Sequence, residues 1–296
     1  MVEATFRSRG GKFTGIESFK DKLSGKKAVI CCSGTTLREY NDASIPEDWV
    51  RFAVNEGIRK LSGSADFWVL SDKAIVYEYA DLCKSHTTVL AMHQAASYID
   101  KYTQVPEVYT MNSMPLPPAL YDNGYEFFSR GTVMIGAVEM ARYMGIKEFY
   151  IFGLDCYRTE NEYYYDGRTP EATSERNPVK LKSGWQRKNW DYKDGILVSP
   201  RLQRMIEVLE IIKSSGFWDD IKVYCVNSPM SQQKSIPPMT LEELSDIIKS
   251  ASSKSPEKKF PTLVERGIEY LKEEEDSEDT EQEGKEDDEG LPTSSS

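Results

Sequence analysis

Residues 129–157 read SRGTVMIGAVEMARYMGIKEFYIFGLDCY, and the order of residue types in that stretch decides the fold. Val133, Met134, Ala137, Val138, Ala141 and Met144 recur at helical spacing with Glu139 and Arg142 on the other side, which predicts a helix over 131–144. Gly145 stops it. Glu148-Phe149-Tyr150-Ile151-Phe152 then makes a short aromatic and β-branched run suited to a strand covered on both faces, with Gly153-Leu154-Asp155 at its carboxyl end. A helix feeding such a strand is half of a nucleotide-binding α/β unit, and open parallel sheets bind ligands at the carboxyl ends of their strands. Ser129-Arg130-Gly131 places small residues and a cation where the unpaired N–H groups of a helix N-terminus can hold a phosphate.

Other segments repeat the theme. Ala28-Val29-Ile30-Cys31-Cys32 reads as a first strand, followed by the small-residue loop Ser33-Gly34-Thr35-Thr36. Arg51 to Val54 and Asp66 to Leu70 are further strands, ending at Asn55-Glu56-Gly57 and Ser71-Asp72. Thr88 to Met92 and Val108 to Met111 are weaker ones. A helix begins at Ser199-Pro200, Ile221 to Val226 closes the sheet ahead of Asn227-Ser228, and Thr240-Leu241-Glu242-Glu243 is a capping box opening a helix through Ile248. The expected architecture is α/β: a Rossmann-like, mostly parallel sheet with helices on both faces. Residues 1–25 form an N-terminal arm, 26–239 the nucleotide-binding domain, 240–272 C-terminal helices, and 273–296 a disordered acidic tail.

Between 156 and 198 the aliphatic pattern gives way to tyrosines, tryptophans and charges of both signs, an aromatic and basic lid insertion carrying Arg168, Arg176, Lys180, Arg187, Trp185 and Trp190. The net charge of −11 belongs elsewhere. Glu273 to Gly290 holds 12 acids and one lysine, so of the 48 acids and 37 bases the remainder keeps 36 of each. The body is neutral and does not steer substrate by long-range charge. The five cysteines read as reduced core thiols, and His86 and His93 as ordinary side chains; with no CxxC, no metal site is expected. The chain has neither a signal-peptide core nor an apolar run of the roughly 18 residues a membrane span needs, which predicts a cytoplasmic protein. Leu263, Val264, Ile268 and Leu271 make a stripe that can dock on the body or on a second copy, giving a homo-oligomer.

The polar strand ends share one rim of a parallel sheet. Asn55 offers an amide to a base or ribose, or is a left-handed turn residue ahead of Gly57. Asp155 is a general base, a hydroxyl-binding group, or a cap for the next segment. Tyr157, Tyr163 and Tyr164 either donate phenolic hydrogen bonds to a departing phosphate or pack the insertion against the sheet.

The segments AVICCSGTTLREYN, RFAVNEG, the 129–157 stretch and IKVYCVNSPMS, in this order and spacing, resemble the Rossmann-like domain shared by glycosyltransferase family 42 sialyltransferases and MptE-like 6-hydroxymethylpterin diphosphokinases, over roughly residues 26 to 230. The sialyltransferase branch implies a metal-independent transferase whose nucleotide-activated donor is held by Ser33, Gly34, Asn55, Ser129 and Gly131, with Asp155 on the same rim; the residue types add Thr35 in the first loop and Arg130 as the cation for the donor phosphate. Tyr157 with Tyr163 or Tyr164 would contact its phosphate. That branch uses a lid histidine as base, and here no histidine follows His93, so Asp191 or Asp194, or else Asp155, is the expected proton acceptor. The acceptor molecule is open: a glycan, a modified nucleobase or a small metabolite. The other branch implies ATP and Mg²⁺, with Asp72 and Asp155 as metal-binding carboxylates. A third reading keeps the fold as a non-catalytic nucleotide-binding or assembly module.

Overall fold

The computed structural model describes residues 19–71, 73–84, 86–92, 108–111, 132–157, 191–193, 196–198, 200–227 and 231–252. Residues 1–250 form one unit and 251–296 a second, of which only the last two residues of a helix are described. The strands are β1 Lys27–Cys31, β2 Val50–Val54, β3 Phe67–Leu70, β4 Thr88–Met92, β5 Val108–Met111, β6 Glu148–Phe152, β7 Asp191–Lys193, β8 Ile196–Val198, β9 Lys222–Val226 and β10 Pro238–Met239. The α-helices are α1 Lys73–Tyr79, α2 Val133–Tyr143, α3 Pro200–Ser214 and α4 Leu241–Ser252.

Eight strands form one sheet in the order β10-β9-β6-β1-β2-β3-β4-β5, and every neighbouring pair is parallel. The chain runs from β1 outward through β5, then returns to the other flank of β1 with β6, β9 and β10. The direction of travel therefore reverses between β1 and β6. This is the topological switch point, the place where such sheets open a crevice.

Both faces are buried, as all-parallel sheets require. Ala28, Ile30, Phe149 and Ile151 point to one core with α2 and α3; Val29, Cys31, Tyr150 and Phe152 point to the other. The expectation of helices on both faces holds with one difference. The second face carries α1 and α4 together with the 3₁₀ turns Asn55–Arg59 and Thr35–Glu39, the latter in the crossover from β1 to β2, which holds no α-helix. Arg51, 9% exposed, fixes that crossover: its guanidinium donates to Asp42 at 2.8 Å and to the carbonyls of Trp49 and Ile45 at 2.9 and 3.1 Å.

Helix α2 starts two residues later than its apolar spacing suggests, with the Thr132 hydroxyl accepting the Met134 N–H. It ends as expected. Gly145 at φ 93° donates to the Arg142 carbonyl and Ile146 to that of Ala141, and a Cβ at Gly145 would lie 2.3 Å from the Ser24 hydroxyl. Thr240 and Glu243 exchange the two capping-box hydrogen bonds, at 2.7 and 3.1 Å, and α4 continues to Ser252. The hairpin β7–β8, antiparallel, was not expected inside the insertion.

One expectation is corrected. Glu139 does not lie on a polar side of α2: the turn after α3 folds over it, leaving the residue 8% exposed. Its carboxylate accepts the Trp218 indole N–H at 2.6 Å and lies 3.6 Å from Arg142, whose guanidinium also meets Asp220. Burial, only partly offset by Arg142 and the Trp218 hydrogen bond, pushes the Glu139 carboxyl up to about 7. An unfolded glutamate releases its proton near pH ~4.3. The folded chain thus holds this proton more tightly, and the stability it contributes is full below the unfolded value and lost as pH rises to about 7. Glu139→Gln should flatten that decline and be more stable than the parent at pH 8 by up to about 3 kcal/mol, measured by urea unfolding from pH 5 to 8. Parallel pH profiles for the two proteins would refute this.

Candidate functional site

The rim at the switch point is built by the loops that leave β1 and β6, and these two loops are bonded to each other. Cys32 N–H donates to the Phe152 carbonyl at 2.8 Å and Gly34 N–H to the Gly153 carbonyl at 3.0 Å. Asp155, 1% exposed, completes the seam: its carboxylate accepts the Thr35 hydroxyl at 2.8 Å, the Thr36 N–H at 2.9 Å and the Thr36 hydroxyl. The glycines permit this approach. A Cβ on Gly34 would lie 2.6 Å from the Gly153 carbonyl oxygen, and one on Gly153, at φ 71°, would lie 2.8 Å from that of Cys32.

The seam has a chemical consequence. A carboxylate sits at the start of the 3₁₀ turn Thr35–Glu39 and takes the donors that a phosphate would use there. Thr35, expected among the nucleotide-binding residues, gives its hydroxyl hydrogen to Asp155 instead. Asp155 caps the turn after β1, 119 residues before it, and not the next segment as expected, and the hydroxyls it binds are those of Thr35 and Thr36; as a general base it would have to reach an acceptor from this buried, already hydrogen-bonded position. Thr36, which the sequence did not single out, supplies two of those donors.

A third wall braces the β6 loop. Ser231 donates to the Leu154 carbonyl at 3.1 Å and Gln232 N–H to the Asp155 carbonyl at 3.3 Å. Asn55, Cys156 and Asn227, all on this rim, have φ of 48°, 60° and 49°; the other positive-φ residue besides glycine among the described residues is Asp21. Asn55 is thus the left-handed turn residue, and Gly57 beyond it lies so close to β1 that a Cβ would be 2.0 Å from the Cys31 carbonyl oxygen. Its backbone carbonyl accepts the Trp68 indole N–H at 2.8 Å, while its side-chain oxygen is 3.5 Å from Ser71 N. Ser33 is half-buried on the same rim. Tyr157 is buried at the end of the β6 loop.

Asp191 lies in β7, its backbone paired with Val198. Asp72, Ser129, Arg130, Gly131, Tyr163, Tyr164 and Asp194 lie outside the described residues, although Thr132 places 129–131 immediately before the N-terminus of α2. All five cysteines are buried and unbridged, and burial pushes the thiols of Cys31, Cys32 and Cys156 well up, so none of these three is a nucleophile at neutral pH. Among the described residues no group of three or more His, Cys, Asp or Glu is placed to hold a metal ion, and no helix is long and apolar enough to cross a membrane.

No family model matches the chain, and no curated protein matches it. Among solved structures it is similar to the sialyltransferase CstII from Campylobacter jejuni in complex with a substrate analogue, cytidine-5′-monophosphate, at 18% identity over 73% of this chain and 86% of that one, with a TM-score of 0.40. A structure of the sialyltransferase CST-II with a trisaccharide acceptor and CMP gives 16% identity over 72% and 86%, with a TM-score of 0.41. Similarity this distant leaves function to the chain's own residues.

Because the Asp155 carboxylate joins two loops, its removal should cost fold stability as well as activity. Asp155→Ala should lose about 3 kcal/mol and Asp155→Asn, which keeps acceptors for Thr35 and Thr36, about 1–2 kcal/mol in urea unfolding, with nucleotide affinity falling in parallel. A variant of full stability and affinity that lost turnover alone would return Asp155 to the role of base.

Proposed function

We propose that the chain is a glycosyltransferase that takes its sugar from a nucleotide-activated donor bound at the β1–β6 switch point and needs no metal ion. The observation that carries the reading is the rim itself, where the seamed β1 and β6 loops lie beside Asn55 and Ser33 at the carboxyl ends of a wholly parallel sheet. The sequence resemblance to family 42 sialyltransferases supports the same reading.

In this proposal Ser33, Gly34 and Asn55 hold the nucleoside, with Thr35 in the wall behind them. Since Asp155 already occupies the start of the first loop's turn, the phosphate falls in this reading to Ser129-Arg130-Gly131, the residues that precede α2 in the sequence. Tyr157 and Tyr163 or Tyr164 donate hydrogen bonds to the phosphate oxygens as the anomeric C–O bond breaks and the nucleotide leaves with the electron pair. Asp191 or Asp194 takes the acceptor's hydroxyl proton as its oxygen bonds to the anomeric carbon. The acceptor is a glycan, a modified nucleobase or a small metabolite. The alternative, a diphosphoryl transfer from ATP, needs carboxylates for Mg²⁺, and one of its two candidates, Asp155, is turned into the seam.

A thermal-shift panel of CMP, CDP, UDP, GDP, ADP and ATP, each with Mg²⁺ and with chelator, tests this. One pyrimidine nucleotide should stabilise the protein regardless of metal, by about 2.7 kcal/mol at a hundred times its dissociation constant. A shift confined to ATP with Mg²⁺ would favour the diphosphokinase, and no shift across the panel would favour a non-catalytic module.

A further inference from the structure

Asn55 is held from two sides by buried groups. On one side Gly57 presses the turn onto the end of β1, where only a hydrogen fits against the Cys31 carbonyl. On the other, Trp68 stands opposite Ala53 in the β2–β3 register, and its indole N–H reaches along the strand to the Asn55 carbonyl at 2.8 Å. Trp68 is 0% exposed, so the donor of this hydrogen bond lies in the core, while Asn55 is half-buried at the rim. Among the described residues the side-chain amide's hydrogen bond is a long one, its oxygen accepting the Ser71 N–H at 3.5 Å.

The backbone of Asn55 is therefore fixed and its side chain is loosely held. The left-handed conformation, φ 48°, disfavours a residue with a Cβ, and what offsets that cost is the indole bond to its carbonyl. If the bond is removed, the Asn55 peptide can rotate and the amide is re-aimed without any change in the residue that would touch the nucleotide.

We propose that Trp68 is a positioning residue for nucleotide recognition, acting through its indole N–H on the carbonyl of Asn55 and setting the direction of the Asn55 amide. The inference rests on the proposed nucleotide site and adds a residue to it that lies wholly inside the core.

The test is a double-mutant cycle on CMP affinity, read by calorimetry well below the melting temperature of every variant. Trp68→Phe, which keeps an aromatic ring and deletes the donor, should weaken CMP about five- to ten-fold in the parent and less than about two-fold in an Asn55→Ala background. Val69→Ala, which opens space on the opposite face of the same strand, should lower the melting temperature and leave CMP affinity unchanged. Should Trp68→Phe not fold, site-specific replacement of Trp68 by benzothienylalanine, which has sulfur in place of the N–H and nearly the same shape, gives the same comparison. Equal losses in both backgrounds, or no loss in the parent background, would overturn the role of Trp68 while leaving the nucleotide site standing. A parent protein that binds no CMP would overturn the site and this inference together.

Discussion

The site depends on a single carboxylate. Asp155 receives the Thr35 hydroxyl and both the N–H and hydroxyl of Thr36, and in doing so joins loops from the two strands that flank the switch point. Hydrogen bonds to a charged acceptor are worth about 1.5–3 kcal/mol each, more than an ordinary pair, and these are shielded from water. The two glycines, the positive φ values and the brace from Ser231 are arrangements that let this carboxylate approach and keep it in place. The rim between β1 and β6 is accordingly a hydrogen-bonded seam between two loops.

Much of the fold was legible in the sequence because parallel strands buried on both faces leave a distinctive trace. β1, β2, β3, β6 and β9 stand within one residue of where short apolar runs put them, and the Gly145 stop and the Thr240 capping box have purely local causes. What could not be read is what depends on distant partners. Nothing in the spacing around Glu139 shows that Trp218 will close over it, and nothing around Thr36 shows that its donors will meet a carboxylate 119 residues away. The β7–β8 hairpin is a different kind of miss. Asp194-Gly195 between Asp191-Tyr192-Lys193 and Ile196-Leu197-Val198 is a hairpin signal that was present in the sequence and obscured by the insertion's mixed composition. For the site, the sequence placed the rim residues correctly as strand ends but could not tell a residue that faces a ligand from one that faces another loop.

Charge is distributed in a way that separates two tasks. The body's acids and bases balance, and three of the buried ones among the described residues are committed to structure: Arg51 to the crossover, Asp155 to the seam, Glu139 to the underside of α2. The buried thiols behave as small apolar side chains held in protonated form. Recognition of an anionic ligand on such a body rests on aimed donors and helix ends and owes little to a diffuse field.

The position of β1 carries a consequence for how the molecule forms. β1 pairs on one side with β2, which follows within some twenty residues, and on the other with β6, which follows only after β2 to β5 and α2. The first pairing closes a short loop and the second a long one, so the half-sheet β1 to β5 can order while the chain is still emerging and the central seam cannot. The crevice is thus among the last features to appear, completed when Asp155 reaches Thr36. A nascent or half-folded chain exposes the β6-facing edge of β1 until then, and the same step that covers this edge also creates the site.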